Sequence, residues 1–372
     1  MINLLNTAKK HIMNFPGKKL DKKYVVFESD DWGSERIPSA EGLKYLISSG
    51  IDVYRNPFNH LDSLETEDDL AALFETLRKF RDGQGHHPVI TANSVIANPD
   101  FGRIKASGFH DYYYESSIQT YRNKKECENS FVLIKEGISD GIYLPQFHGR
   151  EHLNVNQWLT SLQSGNKVLL KAFSASIYGI DLDSDLTKRD NFMAAFDSNS
   201  ERERIEHEQI IKEGLSLFTE TFKYRPASFI APCYVWHPSL EIILKEGGIE
   251  FIQGLPVQYA PIQNSRYKKI YHYQGEQNKM QQVYFIRNCF FEPALNPGYN
   301  WIKDCLRRLE IIFFWNKPAI IGTHRINFIG SLNEKNREQN LRELSLLLKL
   351  ILQTWPDVEF TTTDKLGELY LN

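Results

Sequence analysis

The stretch YVVFESDDWGSERIPS, Tyr24 to Ser39, holds the key to the fold and poses a question about charge. A short apolar run, Tyr24 to Phe27, is followed by the polar pair Glu28–Ser29, then by two adjacent carboxylates, Asp30 and Asp31, an aromatic ring and a glycine. Such a run reads as a strand buried on both faces, which is the habit of parallel sheets, and the two like charges fall at its carboxyl end.

Working outward, similar runs recur at PVITAN 88–93, IYLPQF 142–147, ASFIAP 227–232, EFIQG 250–254, QVYFIR 282–287, PAIIGTH 318–324 and VEFTTT 358–363. Helical patterns alternate with them: TEDDLAALFETLRKF with a Thr66 to Asp69 capping pattern, ERERIEHEQIIKEGLSLFTETF, PSLEIILKEGG, WIKDCLRRLEIIFFW and REQNLRELSLLLKLILQTW. Seven or eight strand–helix units predict an α/β fold, a closed or nearly closed β/α barrel. No linker cuts the chain, so a single domain is expected over 24–372, preceded by a segment 1–23 and carrying a polar loop insertion around 181–200 at the barrel mouth.

At 372 residues, 41% hydrophobic and with a formal charge of -3, the chain can bury a large core and offers no basic field for nucleic acid. The four cysteines are widely spaced and read as reduced thiols. No secretory signal or apolar span of transmembrane length is seen, so a cytoplasmic protein is expected. Ile2, Leu4, Leu5, Ile12 and Phe15 interleave with Lys9, Lys10, Lys18 and Lys19, a basic amphipathic pattern that suits either a peripheral contact at the inner membrane face or a helix docked on the domain.

Chemistry in a β/α barrel sits at the carboxyl ends of its strands. Here those ends carry Asp30 and Asp31, Asn93, the run FHGREH with His148 and His152, the run PCYVW preceded by Arg225, and His324. The four-residue spacing of His148 and His152 suits one face of a helical turn, within reach of one cation. With Asp31 they form a two-histidine, one-carboxylate set that leaves positions open for water and substrate. Asp30 is then free to take a proton, and Arg225 can offset part of the repulsion between the two acids. Two competing readings use the same residues. ESDDWGS also suits a helix N-cap, and HGREH fits a reversed zinc-peptidase pattern with Glu151 as base.

Taken together these residues resemble the polysaccharide deacetylase superfamily, the NodB-homology group of metal-dependent carbohydrate deacetylases with a distorted β/α barrel. The resemblance runs over roughly residues 24 to 370. It implies Asp30 as catalytic base, Asp31, His148 and His152 as ligands of a divalent metal ion, expected to be zinc with cobalt, manganese or nickel as alternatives, and His324 as general acid. Arg225, Pro226, Pro232 and Tyr234 match its arginine–proline motif. Trp32, Tyr234 and Trp236 are then candidate flat faces for a sugar ring, and Asn93 a further substrate contact.

The pattern departs from the family in places. FES precedes the acidic pair, Trp32 displaces the glycine after it, and His148 is followed by Gly149. No aspartate in FIQGLPVQYAPIQNSRY can orient His324, so a carboxylate from elsewhere, such as Glu292 or Asp364, is expected to take that part. The activity implied is hydrolysis of an acetamide on an N-acetylated sugar. The location read above points to a lipid- or nucleotide-linked intermediate of surface polysaccharide biosynthesis. An inactive barrel that binds a glycan or a partner protein is the alternative.

Overall fold

The computed structural model describes residues 2–182, 192–263 and 266–371, and of residues 2–6 only the backbone. Nine parallel strands build the main sheet: β1 Lys23–Trp32, β2 Ile90–Ser94, β3 Tyr143–Phe147, β4 Ser228–Ile230, β5 Phe251–Gly254, β6 Val283–Ile286, β7 Cys289–Phe290, β8 Ala319–His324 and β9 Val358–Phe360. Their order is β6-β5-β4-β3-β2-β1-β8-β7, with β9 beside the start of β1. Each of the eight apolar runs in the sequence overlaps one of these strands, and β7 is the addition.

The two edge strands of this curled sheet are one piece of chain. Only Arg287 and Asn288 separate β6, which pairs with β5, from β7, which pairs with β8. The single stretch 283–290 therefore leaves one edge and joins the other, completing a distorted barrel without a continuous ladder between its ends.

Along β1 the side chains alternate as strand geometry requires. Val26 joins Phe251, Phe285, Ile320, Leu366 and Tyr370 in an apolar floor, to which the C-terminal helix Thr363–Leu371 contributes the last two. One step on, Glu28 accepts from Arg287 Nε at 2.8 Å and from Thr363 Oγ1 at 2.9 Å. Two residues further, Asp30 reaches the carboxyl end. Val25 and Phe27 alternate the other way, into the large core shared with the helices Glu67–Arg78, Trp301–Phe314 and Glu334–Thr354. Each such fully buried side chain contributes about 1.5–3 kcal/mol.

The expected capping box is present. Thr66 Oγ1 accepts from Asp69 N at 3.3 Å, and Asp69 Oδ2 accepts from Thr66 N at 3.0 Å. The antiparallel hairpin of Val257–Ile262 with Arg266–Tyr271 was not expected from the sequence. Its one-sided burial makes a weaker apolar signal than the barrel strands do.

The helix Ile2–Asn14 lies against Trp301–Phe314, tied by a 2.6 Å ion pair from Lys10 to Asp304 and by Trp315 Nε1 at 3.0 Å from His11 Nδ1. Among the described residues no helix is long and apolar enough to cross a membrane. Within the polar segment 181–200, residues 183–191 lie outside the described residues, while Phe192, Met193 and Phe196 are buried.

Candidate active site

Two successive residues of a regular strand point to opposite faces, yet Asp30 and Asp31 line the same cavity. The backbone explains how. Asp31 adopts φ 75°, and the register of β1 against β2 shifts between Ser29 and Trp32, the mark of a bulge that re-aims one side chain. The bulge also sends Trp32 away from the cavity and into the core, edge-on to Tyr143 with ring centroids 5.2 Å apart and Nε1 donating to Ser29 Oγ at 2.9 Å.

His148 and His152 meet Asp31 from a loop rather than from the helical turn expected of their spacing. Gly149 has φ +114°, a conformation open to glycine and costly to other residues, which accounts for a glycine directly after His148. Asp31 Oδ1 lies 3.4 Å from His148 Nε2 and 3.3 Å from His152 Nε2, and one ligand atom from each residue falls within 4.8 Å of the others. His148 Nδ1 is 2.9 Å from the Ile230 carbonyl, which can only accept. Nδ1 therefore carries a proton, and Nε2 is the nitrogen left to face Asp31.

Asp31 Oδ1 and His148 Nε2 are buried without a hydrogen-bond partner. Burial holds His152 down to about 3 against the pull of Asp31, so its ring is neutral. Burial pushes the Asp31 carboxyl up, but the positive charges around it, those of His324 and Arg36 included, outweigh burial and hold it well below the usual carboxylate range. An anionic oxygen and two bare imidazole nitrogens aimed at one point are a donor set for a cation, and the three residues could hold one.

Asp30 is held differently. Arg287 forks onto it with Nη1 to Oδ2 and Nη2 to Oδ1, both 2.6 Å, and Asn93 Nδ2 donates to Oδ1 at 2.8 Å. Burial alone would raise Asp30, and the guanidinium overcomes it, leaving the carboxylate at about 2. Gln253 Oε1 in turn accepts from Asn93 Nδ2 at 2.7 Å. The arginine partner is thus Arg287 and not Arg225, which is exposed and precedes β4, at the far end of that strand from the cavity. A Cβ at Gly322 would lie 2.7 Å from Arg287 Cδ, so β8 is bare where the guanidinium passes.

His324 ends β8 with Nε2 3.7 Å from Asp30 Oδ2, while Nδ1 lies 2.7 Å from Glu292 Oε1. Asn327 Nδ2 donates to Glu292 Oε2 at 2.7 Å and fixes that carboxylate. Glu292 therefore fills the orienting position for which Glu292 and Asp364 were both candidates. Asp364 is engaged by Thr362 instead. Burial lowers His324, but Glu292 and Asp30 raise it to about 9. Glu292→Gln removes the larger of these charges, so the imidazole should release its proton at lower pH. NMR titration of the metal-free protein would read this as a downward shift of the His324 midpoint, and an unmoved midpoint would deny Glu292 the role.

The cavity measures about 300 Å³, and Tyr234 and Met193 complete its wall. Among the expected sugar contacts only Tyr234 lines it. Trp236 is 2% exposed with Nε1 on Glu241 Oε1 at 3.1 Å, and Asn93 is fully buried against Asp30. Tyr234 and His324 also border a second cavity of about 480 Å³ that includes Phe290, Tyr299 and Trp301. Glu151 is gripped by Arg150, Nε to Oε2 at 2.6 Å and Nη2 to Oε1 at 2.9 Å, and does not line the cavity.

Sequence reasoning passed over Arg287 and Gln253, although each stands at the carboxyl end of an expected strand run beside the other polar strand ends. That shared position was the available signal. Arg36, from a loop, and Phe58, which opens the four-residue helix Phe58–Leu61, also line the cavity and belong to segments too short to carry a periodic pattern.

No family model matches the chain, and no curated protein does. Solved structures do. A 4-alpha-glucanotransferase from Thermococcus litoralis is 10% identical with TM-score 0.46 over 95% of this chain, which spans 40% of the glucanotransferase. A protein from Mycobacterium smegmatis designated a polysaccharide deacetylase is 10% identical with TM-score 0.43, covering 96% of this chain and 94% of its own. Another with that designation, from Pseudomonas aeruginosa PAO1, is 12% identical with TM-score 0.40, covering 93% and 89%.

Proposed function

We propose that the chain is a divergent polysaccharide deacetylase, a metal-dependent hydrolase that removes an acetyl group from an N-acetylated sugar. One observation carries this reading: Asp31, His148 and His152 converge in a cavity that also holds Asp30 and His324. A divalent cation bound by the three, zinc by our expectation, would supply Lewis acidity toward an acyl carbonyl and water.

The remaining steps belong to the chain's own groups. Asp30, anchored by Arg287, accepts the proton of the attacking water. His324, kept protonated by Glu292, delivers a proton to the departing amine. The aromatic walls of the second cavity, Tyr299 and Trp301, take over the sugar-stacking part first given to Trp32 and Trp236. The peptidase reading loses support because its base, Glu151, is committed to Arg150.

Our expected substrate is a lipid- or nucleotide-linked precursor of a surface glycan, handled on the cytoplasmic side. The test is incubation of zinc-loaded protein with N-acetylated nucleotide sugars and short oligosaccharides, reading released acetate. Release from at least one is expected. No release from any would favour the binding protein without turnover.

A further inference from the structure

We propose that Arg36 is the recognition point for an anionic group, a carboxylate or a phosphate, carried by the substrate within about one sugar unit of the bond that is cut. The proposal takes the hydrolysed amide from the function proposed above, and the anion from Arg36 alone.

Arg36 lines the same cavity as Asp31, His148 and His152 and is 5% exposed. Its surroundings hold it in place without satisfying it. The guanidinium lies over the Phe58 ring, 4.7 Å from the centroid, and Phe58 meets His324 edge-on at 5.4 Å. Among the described residues its ion-pair partner is Asp62, with Nε 3.4 Å from Oδ2 and no hydrogen bond between them. Asp62 gives its other oxygen, Oδ1, to Arg325, whose Nη2 donates to it at 2.6 Å, and Arg325 takes Glu65 as well at 2.8 Å.

None of the five N–H donors of Arg36 finds a hydrogen-bond acceptor among the described residues. Nε is sealed from solvent, while the two Nη groups are not sealed and face the open space. Unmet donors on a buried cation are costly, and the planar fork of a guanidinium matches the paired oxygens of a carboxylate or phosphate. The charge of Arg36 is felt by both Asp31 and His152, which sets it beside the metal ligands. Arg287, the other guanidinium at the site, is saturated by Glu28 and Asp30 and has no fork to offer. A cavity of about 300 Å³ leaves little length between an anion on Arg36 and an amide at the ligand triad.

The test measures binding of four probes to the zinc-loaded full chain by calorimetry: N-acetylglucosamine, its uronate, its 6-phosphate and its 1-phosphate. At least one acidic probe should bind roughly 10-fold or more tightly than the neutral sugar, the usual scale for a charge-assisted pair. Arg36→Gln should bring that probe down to the neutral level and leave the neutral sugar unchanged. Which probe gains identifies carboxylate or phosphate.

Should Arg36→Gln fail to fold, Arg36→Lys keeps the charge without the fork and should lose part of the preference. Equal binding of all probes by the parent, or no binding of any acidic probe, overturns the proposal. So does an equal loss for neutral and acidic probes in the variant, which would make Arg36 a partner of the acyl oxygen. Acidic preference without acetate release would sink the hydrolase reading and spare Arg36. Release from neutral sugars without preference would do the reverse.

Discussion

Asp30→Asn should bind its metal as the parent does and turn over roughly 10²–10⁴-fold more slowly, the usual worth of a general base. The two outcomes separate because Asp30 is not in the ligand set. Its oxygens belong to Arg287 and Asn93, while the convergent ligand atoms come from Asp31, His148 and His152. The substitution is not a pure loss of a base. An amide NH₂ placed against one Nη of Arg287 sets donor against donor, so about 1.5–3 kcal/mol of stability should go with the lost charge-assisted bond. Collapse is not expected, because Glu28 remains as counter-ion to the same guanidinium at 2.8 Å. Metal content, melting temperature and turnover measured on one preparation check all three. Full activity would demote the acidic pair to a structural cap, and metal loss would make Asp30 a ligand.

Replacing a ligand should have the opposite signature. His148→Ala or His152→Ala should abolish stoichiometric metal binding, a larger loss than the roughly 10–100-fold typical of an outer-shell change. Asp31→Asn should lose affinity first and recover part of its activity in excess zinc, whereas Asp30→Asn should not. Melting temperature gives a readout independent of turnover. A metal bound only by the folded chain stabilises it by about 2.7 kcal/mol at 100 times its dissociation constant, so added zinc should raise the parent's melting point and leave the histidine variants unmoved. Metal content equal to the parent's in both histidine variants would refute the triad.

Much of this was legible because each signal is local. Strands buried on both faces have to be apolar, so runs such as PAIIGTH stand out. Ligands spaced closely in the chain, like His148 and His152, announce themselves even when the element between them is misjudged. The misassignments arise where tertiary geometry decides. Trp32 was grouped with the site because it follows Asp31 in the chain, and a single positive φ turns it into the core. Arg225 precedes its strand and so stays at the far end, while Arg287 follows its strand and arrives at Asp30 and the second cavity. Nothing local distinguishes Glu292 from Asp364 as the partner of His324, because that choice is made by the approach of the chain after β7 to β8.

The seam at 283–290 ties architecture to chemistry. Arg287 stands at the hand-over between β5 and β8 and is also the clamp on Asp30. Should this hoop spring apart, Asp30 would lose its anchor in the same motion that breached the wall. Asp30 is held only while the circumference is whole, so a half-assembled chain carries no armed site, and a lesion at the seam would be felt as a fault in the chemistry.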